Sequence, residues 1–350
     1  MLLQENIPLA PLTTIKIGGP ARYFVEAKTV GEVQEAVAFA SVRDLPLFIL
    51  GGGSNLLISD GGWPGLVLKI AIQSIDQRSG HDEDGKILFD AGAGESWDKF
   101  VSHAVMAGCA GVECLSGIPG SVGATPVQNV GAYGQEVSDT IASVQVLDLK
   151  DNQVRELCPE ACGFSYRASI FNTSERGRFI VLRVTYSLTP GGSPRIAYAD
   201  LKRHFEGREA PNLAETREAV RHIRAIKGML IVPGDPDCQS AGSFFKNPIL
   251  SEEQHEDLKR RAAARRLTIP TYPALETRKK VSAAWLVERS GFTRGFGSGR
   301  VGISTRHALA IENRGGATAA EVLALKEQIQ QRVEEIWAIR LEPEPVMVGF

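Results

Sequence analysis

The chain has 350 residues, of which 43% are hydrophobic and 23% charged, with 39 basic side chains against 41 acidic ones and a formal net charge of -2. These proportions exclude a disordered or fibrous chain, and they give no global electrostatic reason to expect nucleic acid or an anionic membrane as a partner. The length suffices for two or three domains, each with its own apolar core.

In chain order, the start MLLQENIPLAPLTT lacks the basic end and apolar centre of a signal peptide. No apolar run approaches the roughly 20 residues of a spanning helix, so a cytoplasmic location is expected. Residues 22–27 read as a strand and 31–43 as a helix with Val33, Val37 and Ala40 on one face. Residues 46–50 form a second strand that runs into Gly51, Gly52, Gly53, Ser54 and Asn55, after which 56–58 is extended again. In Rossmann folds and P-loops the glycine turn opens a helix whose N-terminus holds phosphate. Here the turn joins strand to strand, so a phosphate would be held by backbone N–H groups in a nest and by Ser54 and Asn55.

Residues 87–93 read as a strand, and Ser96 caps a helix that runs to residue 107. Then comes GCAGVECLSGIPGSVGATPVQNVGAYG, residues 108–134, with Glu113 as its sole formal charge. A linker of that size is ordinarily polar. An uncharged, glycine-rich one lets main chain approach a ligand closely and turns N–H groups toward an acceptor-rich partner such as a pyrophosphate or a flavin ring. The stretch reads as a cofactor bed.

Strands are expected at 141–149 and 179–188, and a helix at 211–227 with Val220, Ile223 and Ile226 at helical spacing. A boundary follows at 232–236. Residues 251–266 form a helix with a Ser251/Gln254 capping box, whose basic residues read as a solvated face because no aromatic side chains interleave with them. The longest helix, 318–337, is capped by Thr318 and carries the stripe Val322, Leu325, Ile329, Val333 and Ile336. A final strand at 339–348 returns to a sheet begun much earlier. Residues 297–302 satisfy GxGxxG, but the extended run after them excludes a dinucleotide site there. The five cysteines include no CxxC pair, so free thiols and no metal site are expected.

Three stretches hold candidate chemistry. Arg167, beside Tyr166, lies in the otherwise uncharged 162–171 and must reach solvent or pair with an anion. Ser243, in SAGSFFKNP, either caps a turn or presents its hydroxyl in a dry pocket with Lys246 and Asn247 nearby. Glu344 places a carboxylate in the terminal strand. Each residue alone is an ordinary surface or capping residue.

Together, TTIKIGGPA (13–21), LGGGSNLL (50–57), GAGESW (92–97), SGIPGSVGATPVQNVGAYG (116–134), YRASIF (166–171), SAGSFFKNP (240–248) and LEPE (341–344) carry a resemblance through nearly the whole chain. It resembles the UDP-N-acetylenolpyruvoylglucosamine reductases, flavoenzymes of peptidoglycan precursor synthesis, in the longer form of that family. The resemblance implies an α+β fold: a two-lobed FAD-binding unit of the vanillyl-alcohol-oxidase type and a C-terminal α+β substrate-binding domain. The lobes would be 1–70 with 336–350, and 71–226, with 227–335 covering the substrate. Residues 262–278, including Tyr272, resemble the extra loop of the longer form.

The implied cofactor is non-covalent FAD, with NADPH as reductant and UDP-N-acetylglucosamine enolpyruvate as substrate, the two using one pocket in turn. No nucleic-acid, membrane or metal partner is implied, and a monomer is expected. Gly51, Gly52, Gly53, Ser54 and Asn55 would surround the pyrophosphate. Gly117, Ile118, Pro119, Gly120, Ser121, Gly123, Gln128, Asn129 and Gly131 would line the flavin. Arg167 and Glu344 match the residues that stabilise the enolate, and Ser243 matches the proton donor. Tyr166, Tyr198, Lys227, Asn247 and Tyr272 would hold the sugar nucleotide. Pro345 has no N–H to give a strand, which fits an edge or a bulge. Two rivals stand beside this reading: an FAD-dependent oxidase or dehydrogenase of the same architecture, and a non-catalytic nucleotide-binding relative.

Overall fold

A computed structural model of the chain describes residues 1–80, 82, 84–273 and 277–350. Within them lie helices α1 (Val30–Val42), α2 (Trp97–Met106), α3 (Ala199–His204), α4 (Leu213–Ile226), α5 (Glu252–Ala263), α6 (Ala283–Arg289) and α7 (Ala319–Trp337). The chain divides into two compact units: Met1–Ile7, Ala21–Gly53 and Pro64–Ile226 form the first, and Pro8–Pro20, Ser54–Trp63 and Lys227–Phe350 the second.

Among the described residues the first unit has a short two-stranded sheet, Gly131–Ala132 with Gln135–Glu136, and two larger ones. One runs in the order Leu3–Pro8, Pro20–Ala27, Trp63–Ile70, Leu47–Leu50, with the last pair parallel. The other is antiparallel, in the order Gln153–Leu157, Ile141–Asp148, Phe179–Pro190, Ile87–Gly92, Ile75–Gln77. Helix α1 starts where the Thr29 side chain accepts from Glu32 N. One apolar cluster joins Val25, Val33 and Leu68 to Phe89, Trp97, Phe100, Val184 and Tyr186. The cofactor-bed stretch is fastened to this core by Trp97, whose Nε1 donates to the Leu115 carbonyl at 3.0 Å.

In the second unit the sheet Ser240–Ser243, Ala310–Asn313, Val301–Ile303 is antiparallel, and α5, α6 and α7 pack around Phe244, Phe245, Leu258, Leu286, Ile329 and Trp337. The N-terminus of α7 is satisfied group by group. Thr318 and Glu321 form a capping box, and the Asp60 carboxylate accepts from Ala319 N at 2.8 Å and Ala320 N at 3.1 Å. Val346–Val348 pairs in parallel with Leu56–Ile58, so the terminal strand does return to an early one. Ile15, Ile17 and Leu57 join the same core, which explains why two short early segments belong to this unit.

Residues 336–350 group with the C-terminal unit, as do their partners at 54–63. Residues 21–53 and 64–226 share one core. Several local expectations need correction. Ser96 stands at the N-cap of α2, yet its hydroxyl makes no capping bond. Ile226 is exposed because α4 ends with it. The strand expected at 339–348 is interrupted and regular only at Val346–Val348. Of the expected extra loop, residues 274–276 lie outside the described residues.

Removing the α7 cap tests this accounting. Thr318→Ala should cost about 1 kcal/mol in denaturant unfolding with the slope unchanged, and an unchanged midpoint would show that Asp60 alone satisfies the helix start.

Candidate active site

Two glycine runs meet in the first unit. A Cβ built on Gly52 would fall 2.5 Å from Gly120 Cα and 2.7 Å from Ser121 N, distances at which only hydrogen fits. Gly120 has φ 133, which side-chain-bearing residues avoid. The Ser121 Oγ is buried without a protein partner. A cradle that a Cβ would fill, with a buried hydroxyl lacking a partner, fits an acceptor-rich cofactor held on backbone. The far side of the loop is secured by Trp97 N to Gly120 O at 3.1 Å, Val122 N to Glu95 O at 2.9 Å and Gly123 N to Ala93 O at 2.8 Å.

The loop's own charge is structural. Glu113 is fully buried and accepts from Gly111 N, Gln135 Nε2 and Arg195 N at 2.8, 2.8 and 2.9 Å. Such donors are what a buried carboxylate requires. Gly117 is held at both backbone groups: its N–H donates to Asp98 Oδ1 at 2.6 Å, and its carbonyl accepts from Arg224 Nε at 3.1 Å. Arg217 and Arg221 also bind Asp98, at 2.7 and 2.6 Å. Burial works against the Asp98 charge, but Arg217, the Gly117 N–H and Arg221 outweigh it and hold the carboxyl below its ordinary range. These four residues were missed in the sequence. Their signal is the i, i+4, i+7 spacing of Arg217, Arg221 and Arg224 on α4.

Gly131 and Asn129 interlock with the turn that carries Arg167. Ser165 and Ala168 exchange backbone hydrogen bonds at 2.9 and 3.1 Å, which leaves Tyr166 and Arg167 at the corner. Arg167 is left-handed, with φ 56. A non-glycine residue in that region stores strain of about 1–3 kcal/mol, typical of functional sites. Its Nη2 donates to the Gly131 carbonyl at 2.7 Å, and its guanidinium lies 5.3 Å from the Tyr166 ring centre. The Asn129 side chain donates to Ser165 O and Glu136, both at 3.1 Å, and accepts from Ser138 N at 3.1 Å. It therefore ties its loop to the Arg167 turn. Gln128 is half-buried in the same loop.

In the second unit Ser243 and Glu344 come together through the backbone. Ser243 pairs with Ala310, and the next residue, Phe244, receives a hydrogen bond from Glu344 N at 2.9 Å, while Lys246 N donates to Glu342 O at 3.0 Å. Two residues past Glu344, Val346 N donates to Asn55 O at 2.9 Å. The chain thus changes partner at Pro345, where no N–H is needed, and this accounts for the proline. The Asn55 amide donates to the Glu344 carbonyl at 3.2 Å, and Thr14 Oγ1 to Ser240 O at 2.7 Å. Asn247 Oδ1 accepts from Ala283 N at 2.9 Å at the start of α6, so part of this side chain has a structural task. Lys246 pairs with Glu342 at 3.6 Å.

Arg167, Tyr166 and Tyr198 belong to the first unit, and Ser243, Glu344, Lys227, Asn247 and Tyr272 to the second. Tyr198 is half-exposed and packs edge-on against Tyr133, with ring centres 5.4 Å apart. Tyr272 is half-exposed opposite Lys280 in a strand pair. The five cysteines are free thiols. No helix among the described residues is long and apolar enough to cross a membrane.

The glycine cradle and its fold define a flavoprotein: residues 21–157 match the family model of an FAD binding domain. Residues 235–348 match the model described as UDP-N-acetylenolpyruvoylglucosamine reductase, C-terminal domain. The UDP-N-acetylenolpyruvoylglucosamine reductase of Thermobifida fusca is 45% identical over 99% of this chain and 98% of its own, and that of Streptomyces coelicolor 46% identical over 99% and 90%. The crystal structure of UDP-N-acetylenolpyruvylglucosamine reductase from Thermus caldophilus superposes with a TM-score of 0.65 at 27% identity, covering 99% of this chain and 98% of that one. The chain belongs to the UDP-N-acetylenolpyruvoylglucosamine reductase family.

The cradle makes a direct prediction. Gly52→Ala should purify depleted of flavin and lose about 1–3 kcal/mol of stability, as overpacking does. Full FAD content with an unchanged melting temperature would show that the two glycine runs do not need to touch.

Proposed function

We infer that the chain is an FAD-dependent reductase that uses NADPH to convert UDP-N-acetylglucosamine enolpyruvate to UDP-N-acetylmuramate, in peptidoglycan precursor synthesis. The observation that carries this reading is a family match over 99% of the chain. Gly51, Gly52, Gly53, Ser54, Asn55, Gly117 to Ser121, Gly123, Gln128, Asn129 and Gly131 would hold the FAD, and the cradle and the partnerless Ser121 hydroxyl support that assignment. Bound there, FAD supplies hydride transfer between NADPH and the substrate.

The chain's own residues manage the charge that follows. Hydride addition to the terminal carbon of the enolpyruvyl group pushes the double-bond electron pair onto the neighbouring carbon and its carboxylate. Arg167 would grip that carboxylate as a permanently cationic fork, and the hydrogen bond to Gly131 and the strained turn favour one orientation. Glu344, protonated or sharing a proton, would support the same enolate. Ser243 would deliver the proton to the carbon next to the carboxylate. A hydroxyl is a weak acid, so the role needs a closed, polarising site. Its setting ahead of the buried Phe244 and Phe245 agrees with that need. Tyr166, Tyr198, Lys227, Asn247 and Tyr272 are our assignments for the UDP-sugar.

We further assign a monomeric cytoplasmic enzyme whose product serves cell-wall growth, and with it cell shape and division. Within the first unit we keep residue 70 as the border between two FAD-binding lobes.

The test is anaerobic. NADPH should bleach the flavin and UDP-N-acetylglucosamine enolpyruvate should restore its oxidised spectrum, with one product formed per flavin. A flavin that stays bleached would point to another flavoenzyme. Ser243→Ala should keep FAD and its reduction by NADPH but slow reoxidation by about 10²–10⁴-fold, and reoxidation at the parent rate would remove Ser243 as donor. Arg167→Lys should lose about 10²–10³-fold in the same step, and near-normal turnover would remove Arg167 from the mechanism.

A further inference from the structure

The strand Ala310–Asn313, which pairs with the Ser243 strand, carries Glu312 directly opposite Ser240. The Glu312 side chain is 4% exposed, and its Oε1 accepts from Arg314 Nε at 2.9 Å. Its Oε2 is buried with no donor. The turn Pro236–Cys238, which leads into the Ser243 strand, packs against the Glu312 strand and brings a second carboxyl, Asp237, beside it. Asp237 Oδ2 already accepts from Thr305 Oγ1 at 2.7 Å and from Arg306 Nε at 2.6 Å, and Arg306 Nη2 also holds Asp235.

Two carboxylates cannot hydrogen-bond to one another unless one carries a proton, and a buried oxygen without a donor is costly. Charge leads to the same conclusion. Asp235, Asp237 and Glu312 face the guanidiniums of Arg306 and Arg314, so one proton makes the cluster neutral. Cys238, next to Asp237, stays a neutral thiol because burial pushes it up. Burial is the largest cause raising Glu312 to about 7, helped by Asp237 and opposed by Arg314. Burial also opposes the Asp237 charge, but Thr305, Arg306 and Glu312 together hold that carboxyl below its ordinary range.

We propose that Glu312 and Asp237 share one proton, and that this proton fixes the strand carrying Ser243, which makes Glu312 a positioning residue for proton delivery. The catalytic half of the proposal rests on the reading of Ser243 given above. With the proton present, the Glu312 hydroxyl donates to Asp237 and ties the turn to the sheet. Without it, two buried like charges repel, and the displacement falls on Ser240 and, three residues on, Ser243. The neighbouring turn is coupled too, since a Cβ on Gly228 would lie 3.3 Å from both Arg306 Nε and Asp237 Cβ, one residue past Lys227.

The sign follows from linkage. Glu312 binds its proton more tightly folded than unfolded, so its stabilisation is complete below the usual glutamate range and is lost as pH rises through about 7. The experiment compares the FAD-loaded parent with Glu312→Gln, whose amide keeps the shape and donates to Asp237 at every pH. The melting temperature of the parent should fall relative to the variant between pH 5 and 8. Reoxidation of its reduced flavin by UDP-N-acetylglucosamine enolpyruvate should slow by up to about tenfold from pH 6 to 8, following the protonated fraction, while the variant stays flat and FAD content is equal. Asp237→Asn, which supplies the donor from the other side, should flatten the same melting profile and keeps the test alive if Glu312→Gln misfolds. Parallel melting profiles in parent and variants would overturn the shared proton. Divergent melting with parallel reoxidation profiles would overturn the positioning role. A parent that never reoxidises would remove the functional reading and that role with it, while the melting profiles still decide the shared proton.

Discussion

Everything in the first unit that concerns a cofactor depends on two runs of main chain passing where no side chain fits. Gly52 lies against Gly120 and Ser121 so closely that one added carbon would overlap backbone on the other side. That approach brings a tight turn between strands and a long irregular loop into direct main-chain contact. The remaining bonds of the loop hold the approach in place: Trp97 to Leu115, Asp98 and Arg224 on Gly117, and the buried Glu113 collecting three donors. Charge appears around this loop where it fixes backbone, at Glu113 and Asp98.

The second unit is built on a different device, the change of partner at Pro345. Glu344 pairs with the Phe244 segment, and Val346 with Asn55, so the proline stands at the one position where a missing N–H costs nothing. The same junction holds Glu344 beside the Ser243 strand. Asp60, on the early segment 54–63, completes the start of α7. Pieces distant in the chain thus meet because each supplies a hydrogen bond that the other lacks.

Much of this was legible beforehand. The box at Ser251 and the cap at Thr318 are local chemistry, set within a few residues, and both are formed. The apolar stripe of α7 is buried along Val322, Leu325, Ile329 and Val333 for the same local reason. The strand Trp63–Ile70 was not read, because Pro64 and Gly65 interrupt its apolar run. The structure needs that glycine, since a Cβ there would strike the Pro46 carbonyl. Ser96 has the right identity for a cap, but its hydroxyl makes no capping bond. The edge strand Leu3–Pro8 is too polar to announce itself.

By itself the sequence determined the family, the strand-to-strand glycine turn and the long helices, and it singled out Arg167, Ser243 and Glu344 as candidates, because motifs and capping act over a few neighbouring residues. Tertiary structure alone decided the partners: Gly131 under Arg167, Asn55 on the Glu344 backbone, Arg217 and Arg221 on Asp98, and Glu312 beside Asp237. These partners stand tens to hundreds of residues apart. Whether a carboxyl there is paired, buried or short of a donor depends on distances and dielectric surroundings that come into being only when the chain has folded.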